Sequence, residues 1–263
     1  MKRLQPVCGL SICGLLAVCT AGSALADNIL FVSDRQTDTN IPTVLTNEGH
    51  SLTTVVGDFA SGANPALSGD LSSFDAVFWS ATGAGFGSTH NASTFANLST
   101  YVSAGGSVFV TGYDSIASPT DAEMIAFLGG TGSQDVPAAP GPVANIANRL
   151  TTGVVDIRGV TPTGGHTDRD ALSGLTGGTV GIVMNSSGPA NWQWTLRALG
   201  GGEIAYVSNG AFQGSASNPH PSWEITSPGG PGAYNAALRN FAVPEPASLG
   251  LLAIAGLFAL RRR

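Results

Sequence analysis

Three short segments set the terms on which this chain folds. Ile29-Leu-Phe-Val32, Ala76-Val-Phe-Trp79 and Val108-Phe-Val110 are apolar at every position, and Ser, Asp, Asn or Thr bounds each of them. A strand with one wet face alternates apolar and polar residues, whereas a run without a polar position is buried on both faces. These runs are too short for core helices, so they mark central strands. Between them the period changes. Ile41, Val44 and Leu45 have helical spacing, and Gly49 fits a helix stop. Asn91 to Ala104 places Phe95, Leu98, Tyr101 and Val102 on one side before Gly105-Gly106. Pro119 to Leu128 reads as a helix with Asp121 and Glu123 near its positive end.

Further strands are expected at Ser51–Val56, Thr179–Met184 and Glu203–Ser208, and a closing helix at Ala233–Phe241. Trp192–Leu199 reads as a strand or a short helix. Strands separated by helices at this spacing predict an α/β fold: a doubly wound, mostly parallel sheet with helices on both faces. Residues 129–178 are rich in Gly, Pro and Thr. They read as an irregular insertion, with an extended piece at Val154–Ile157.

The amino-terminal 26 residues have another character. Lys2 and Arg3 precede an apolar stretch from Val7 to Cys19, and Ala24-Leu25-Ala26 forms an A-x-A cleavage site. This is the pattern of a secretory signal peptide over residues 1–26, removed by signal peptidase. Cys8, Cys13 and Cys19 are the three cysteines, and all lie in this leader. A body starting at Asp27 therefore has no disulfide, thiolate metal site or cysteine nucleophile. Between Asp27 and Val243 there are six arginines, no lysine and sixteen acids, a net charge of −10. Such a surface repels phosphate backbones, which argues against a nucleic-acid partner. Residues 27–242 are expected to form one secreted domain.

The other end carries the most specific signal. Pro244-Glu245-Pro246 is followed by a twelve-residue apolar run, Leu249 to Leu260, and by Arg261-Arg262-Arg263. As a helix the run spans about 18 Å, short of a hydrocarbon core of about 30 Å. The arginines would hold its end on the cytoplasmic side. These three parts, in this order, closely resemble the PEP-CTERM sorting signal of Gram-negative bacteria, over residues 243–263. The resemblance implies a transmembrane segment that anchors the chain transiently. It implies recognition by exosortase, a membrane cysteine protease or transpeptidase, through Pro244, Glu245 and Pro246. Removal of the tail and delivery to the cell surface or an exopolysaccharide matrix would follow.

Within the body, Ile29-Leu-Phe-Val32, Phe74-Asp-Ala-Val-Phe-Trp79 and the stretch from Tyr101 to Gly112 resemble the class I glutamine amidotransferase-like, flavodoxin-like fold, which includes trehalose-utilisation-type domains. That family places a nucleophilic cysteine on a tight strand-to-helix elbow. The comparable stretch here, Val110-Thr-Gly-Tyr-Asp-Ser115, has none, and Ser115 lacks a G-x-S-x-G setting. The expectation is a non-catalytic domain without a cofactor.

In open α/β sheets ligands bind beyond the carboxyl ends of the strands. That rule selects Asp34, Asp58, Gly112, Tyr113 and Asp114 as a ligand pocket. The proline-stiffened loop Asn218-Pro-His-Pro-Ser-Trp-Glu224 adds His220, Trp223 and Glu224. His166-Thr-Asp-Arg-Asp170 alternates a histidine with carboxylates, so His166, Asp168 and Asp170 are weak candidates for a divalent cation. The full calcium-loop spacing is missing there. Two functions are compatible with these residues. One is a surface or matrix protein whose domain binds glycan or serves as structure. The alternative is a secreted hydrolase of extracellular polysaccharide using Asp34, Asp58, Asp114, His220 and Glu224 as acid/base groups.

Overall fold

The computed structural model describes residues 27–34, 40–56, 65–81, 91–112, 115–116, 121–135, 139–162, 170–186, 190–208 and 232–243. The apolar runs form the strands expected of them: β1 (Asn28–Ser33), β3 (Ala76–Ser80), β4 (Ser107–Gly112) and β10 (Gly202–Ser208). The edge strand β2 (Ser51–Val56) pairs in parallel with β1, and β1–β3, β3–β4 and β4–β10 are parallel as well. The order β2-β1-β3-β4-β10 places β1 at a switch. The chain leaves β1 through α1 (Asn40–Asn47) for β2 on one side. It returns through α2 (Pro65–Ser68) to β3 on the other.

Alternate residues of these strands enter two apolar clusters, one on each face of the sheet. Ile29, Phe31, Phe78, Phe109 and Val207 meet Ile41 and Leu45 of α1, and Leu238 and Phe241 of α6 (Ala233–Ala242). Leu30, Val32, Trp79, Val108, Val110 and Tyr206 meet Leu67 of α2 and two further helices. These are α3 (Ala92–Ser103), through Phe95 and Leu98, and α4 (Ala122–Leu128), through Met124 and Phe127. Asn91 caps α3 by accepting a hydrogen bond from the Ser93 amide. Gly129, in the left-handed region at φ 87°, closes α4.

The second half of the sheet corrects the expected doubly wound, mostly parallel arrangement to a mixed one. β8 (Thr179–Asn185), β9 (Trp192–Leu199) and β10 follow one another through short connections. Each pairs antiparallel with the next. A parallel pair needs a crossover of a dozen or more residues, and these connections are too short to supply one. Trp192–Leu199 is thus a strand. Residues 129–178 contribute β5 (Gly132–Asp135), β6 (Pro140–Val143), α5 (Arg149–Thr152) and β7 (Asp170–Ser173). β5 pairs antiparallel with β7, β7 with β9, and β6 with β8. Val154–Ile157 forms no strand. Among the described residues no helix is long and apolar enough to cross a membrane, and Leu249–Leu260 lies outside them.

One buried side chain ties this region to the closing helix. Asn240 accepts from the Val154 and Val155 amides at 2.6 and 2.7 Å. Its amide donates to the carbonyls of Leu150 and Val155 at 3.1 and 2.7 Å. The chain turning out of α5 makes these hydrogen bonds with α6 in place of a ladder of its own. Asn240→Ala leaves four backbone groups without their partner. The expected loss is about 2–4 kcal/mol, read as a lower urea midpoint at unchanged denaturant slope.

Candidate functional site

The carboxyl ends of the parallel strands carry buried polar groups. Asp34 directly follows β1 and is 1% exposed. The Trp79 indole donates to its Oδ1 at 2.9 Å, and its amide donates to the Ser80 carbonyl at 3.1 Å. This places a carboxylate at the β1/β3 switch, where open sheets hold ligands. Gly112 ends β4 next to the chain leaving β3. A Cβ there would lie 1.8 Å from the Ala81 carbonyl oxygen, so only glycine allows the two backbones this approach.

Just beyond Gly112 the chain is held by Asp170, the first residue of β7, which is 2% exposed. Asp170 Oδ2 accepts from the Ile116 amide at 3.0 Å and from the Ser115 hydroxyl at 3.2 Å. Ser115 Oγ is also 3.1 Å from the Tyr206 hydroxyl, which lies 3.4 Å from the Asp170 carbonyl oxygen. These contacts join three separate parts of the chain: β10, the start of the segment after β4, and β7.

Of the residues expected in the ligand pocket, Asp34 and Gly112 are among those described, and both lie at carboxyl ends of central strands. Asp58, Tyr113, Asp114, His220, Trp223 and Glu224 lie outside the described residues, as do Pro244, Glu245 and Pro246. His166 and Asp168 are outside them too. Asp170 points into the Ser115–Tyr206 network, and among the described residues no three His, Cys, Asp or Glu side chains converge on a metal position. Tyr206 went unnoticed in the sequence. Its signal was a hydroxyl-bearing aromatic near the carboxyl end of an otherwise apolar strand.

A second polar feature lies at the opposite, amino ends of the same strands. A cleft of about 460 Å³ is lined by Asp27, Asp75, Glu203, Arg149 and Ser107, together with glycines of the β4 and β10 approaches. Asp27, Asp75 and Glu203 each stand just before or at the start of a central strand. Parallel register brings such positions to one edge. Arg149 donates to Ser107 Oγ at 2.6 Å, and its guanidinium lies 4.5 Å from the centre of the Phe241 ring. Burial, and then the neighbouring Asp75 carboxylate, push the Asp27 pKa up to about 6, while Arg149 acts in the opposite sense. His50 sits behind Asp27, its Nδ1 3.8 Å from Asp27 Oδ2. Burial lowers the His50 pKa against the smaller opposing effect of Glu48.

Residues 242–263 match the PEP-CTERM protein-sorting motif. The motif indicates an exported chain that exosortase sorts to the cell envelope or surface. No curated protein matches the chain in sequence. Among solved structures, the cytoplasmic protein STM1381 of Salmonella typhimurium LT2 aligns with a TM-score of 0.54 at 9% identity, covering 83% of this chain and all of that one. The cytoplasmic protein STM3548 of Salmonella typhimurium aligns with a TM-score of 0.51 at 12% identity, covering 81% of this chain and 97% of that one. At these identities the likeness is one of fold.

Two outcomes follow from the geometry. Asp170→Ala strands the Ile116 amide, leaves Ser115 with only the Tyr206 hydroxyl, and is expected to cost about 2–3 kcal/mol. Tyr206→Phe removes a neutral hydroxyl and is expected to cost about 1 kcal/mol, both measured by chemical denaturation. The second outcome concerns pH. With residues 1–26 attached, Asp27 binds its proton more tightly folded than unfolded. Its contribution to stability therefore falls as pH rises from about 4 to about 6. Asp27→Asn should raise the melting temperature at pH 7 relative to the parent chain and leave it nearly unchanged at pH 4.

Proposed function

We propose that this protein is exported by a Gram-negative cell, processed at both ends, and retained at the surface or in the extracellular matrix. In this reading its α/β domain binds extracellular polysaccharide and is not an amidotransferase. The sorting motif at residues 242–263 carries the proposal. The acidic, cysteine-free body is consistent with an extracellular role, since neither a thiol nucleophile nor a thiolate site is available to it. The parallel order β2-β1-β3-β4 supports an amidotransferase-like origin for the body, and the lack of a cysteine after residue 19 speaks against that family's chemistry. The carboxyl ends of β1 and β4, with Asp34 and Gly112, supply the docking position.

The test is a thermal melt of the processed protein with and without polysaccharide isolated from its own matrix. At a free ligand concentration about one hundred times Kd, binding to the native state alone adds about 2.7 kcal/mol, a rise of about 5–10 °C for a domain of this size. Asp34→Asn should keep the fold and lose most of that rise. A melt indifferent to the polysaccharide would sink the binding role. Shortening of the polymer by the parent protein, abolished in Asp34→Asn, would replace it with the hydrolase.

A further inference from the structure

The amino-end cleft has a candidate occupant in the chain itself. Its lining includes three acidic residues, Asp27, Asp75 and Glu203, and one arginine, Arg149, and the charges of Asp75 and Arg149 both act on Asp27. The Arg149 guanidinium is already engaged by Ser107 and Phe241. Asp27 is 8% exposed, and its carbonyl is held by the Ser51 amide at 3.0 Å. The buried His50 faces it, and neither ring nitrogen of His50 has a hydrogen-bond partner. Asp27 lines this cleft, and the amide of the next residue, Asn28, donates to Asp75 Oδ2 at 2.8 Å, so the Asp27 nitrogen lies one residue from that carboxylate. Immediately upstream stands Ala26, the last residue of the A-x-A site.

We propose that the cleft seats the α-ammonium group created at Asp27 when the leader is removed, and that this charge completes the acidic cluster of Asp27, Asp75 and Glu203. The proposal rests on reading residues 1–26 as a cleaved leader. Hydrolysis breaks the C–N bond between Ala26 and Asp27. Water supplies its oxygen to the Ala26 carboxylate, and the Asp27 nitrogen takes up protons to become an ammonium. An uncharged amide thus becomes a cation beside Asp27, whose carboxyl burial has made costly to ionise. The charge partly relieves the repulsion between Asp27 and Asp75 that opposes folding of the precursor near neutral pH. Removal of the leader then does more than release the chain from the membrane: it supplies an electrostatic contact that the precursor lacks.

The composition gives this proposal a direct probe. Lys2 is the only lysine in the whole sequence, so a chain starting at Asp27 has one aliphatic amine. The processed protein is taken from its host, its first residue is fixed by mass and amino-terminal sequencing, and it is acylated with acetic anhydride across a pH series. The groups facing the amine are Asp27, Asp75, Glu203 and Arg149, with His50 and Tyr101 beyond them. The expected result is a pH–rate midpoint at least about one unit above that of the same chain in urea, hence about tenfold slower labelling near neutral pH. Asp75→Asn should move the midpoint back toward the urea value. Simple steric cover would slow labelling without moving the midpoint. A midpoint equal to that in urea overturns the seat. A first residue other than Asp27 removes the occupant and, with it, the leader reading on which the proposal stands.

Discussion

Strands that are apolar on both faces need cover on both faces, and with no cysteine beyond residue 19 that cover is what holds the body together. β1, β3, β4 and β10 meet the requirement by sending alternate residues to opposite clusters. Phe78 stacks on Phe109 on one side, with Phe241 edge-on to Phe78 and tilted against Phe109, while Trp79, Phe95 and Phe127 pack on the other. Burying one such side chain fully is worth about 1.5–3 kcal/mol, and a chain of this length can bury enough of them to dispense with covalent staples. The helices follow from this need, since each supplies an apolar stripe that the strands would otherwise present to water.

The same constraint determines where polar chemistry can appear. With both faces occupied, only the two ends of the strands remain open to ionisable groups. At the carboxyl ends, Asp34 and Asp170 are admitted with named donors. At the amino ends, three acids are brought together by strand register, and the balancing charge is scarcer. The two ends therefore differ in kind: one is a closed hydrogen-bond network, the other a cleft with excess negative charge.

Legibility in the sequence tracked locality. The central strands were readable because an unbroken apolar run has one stable setting. Asp34 and Gly112 were readable because they end such runs. The antiparallel half was not: whether a strand turns back or crosses over depends on how its neighbours pair, and Thr179–Met184 looks the same in either case. The inward setting of Asp170 was not legible, because alternation of histidine and carboxylates says nothing of direction, and β7 turns that side chain toward Ser115 and Ile116. Asp27, Asp75 and Glu203 were passed over because they lie far apart in the chain and meet only through parallel register. Asn240 gave no signal, since its four partners come from a segment without regular structure.

The closing helix has a mechanical consequence. α6 ends at Ala242, and the sorting motif begins at that residue. Leu238, Phe241 and Ala242 are completely buried, and Arg149 lies against Phe241. While the tail is attached, any tension on it enters the domain at the point where the helix is most deeply set. Peeling would have to start by drawing an aromatic ring out of the sheet's covering layer and breaking the Asn240 clamp with it. A pull from that end would meet the buried carboxyl-terminal turn of α6 first.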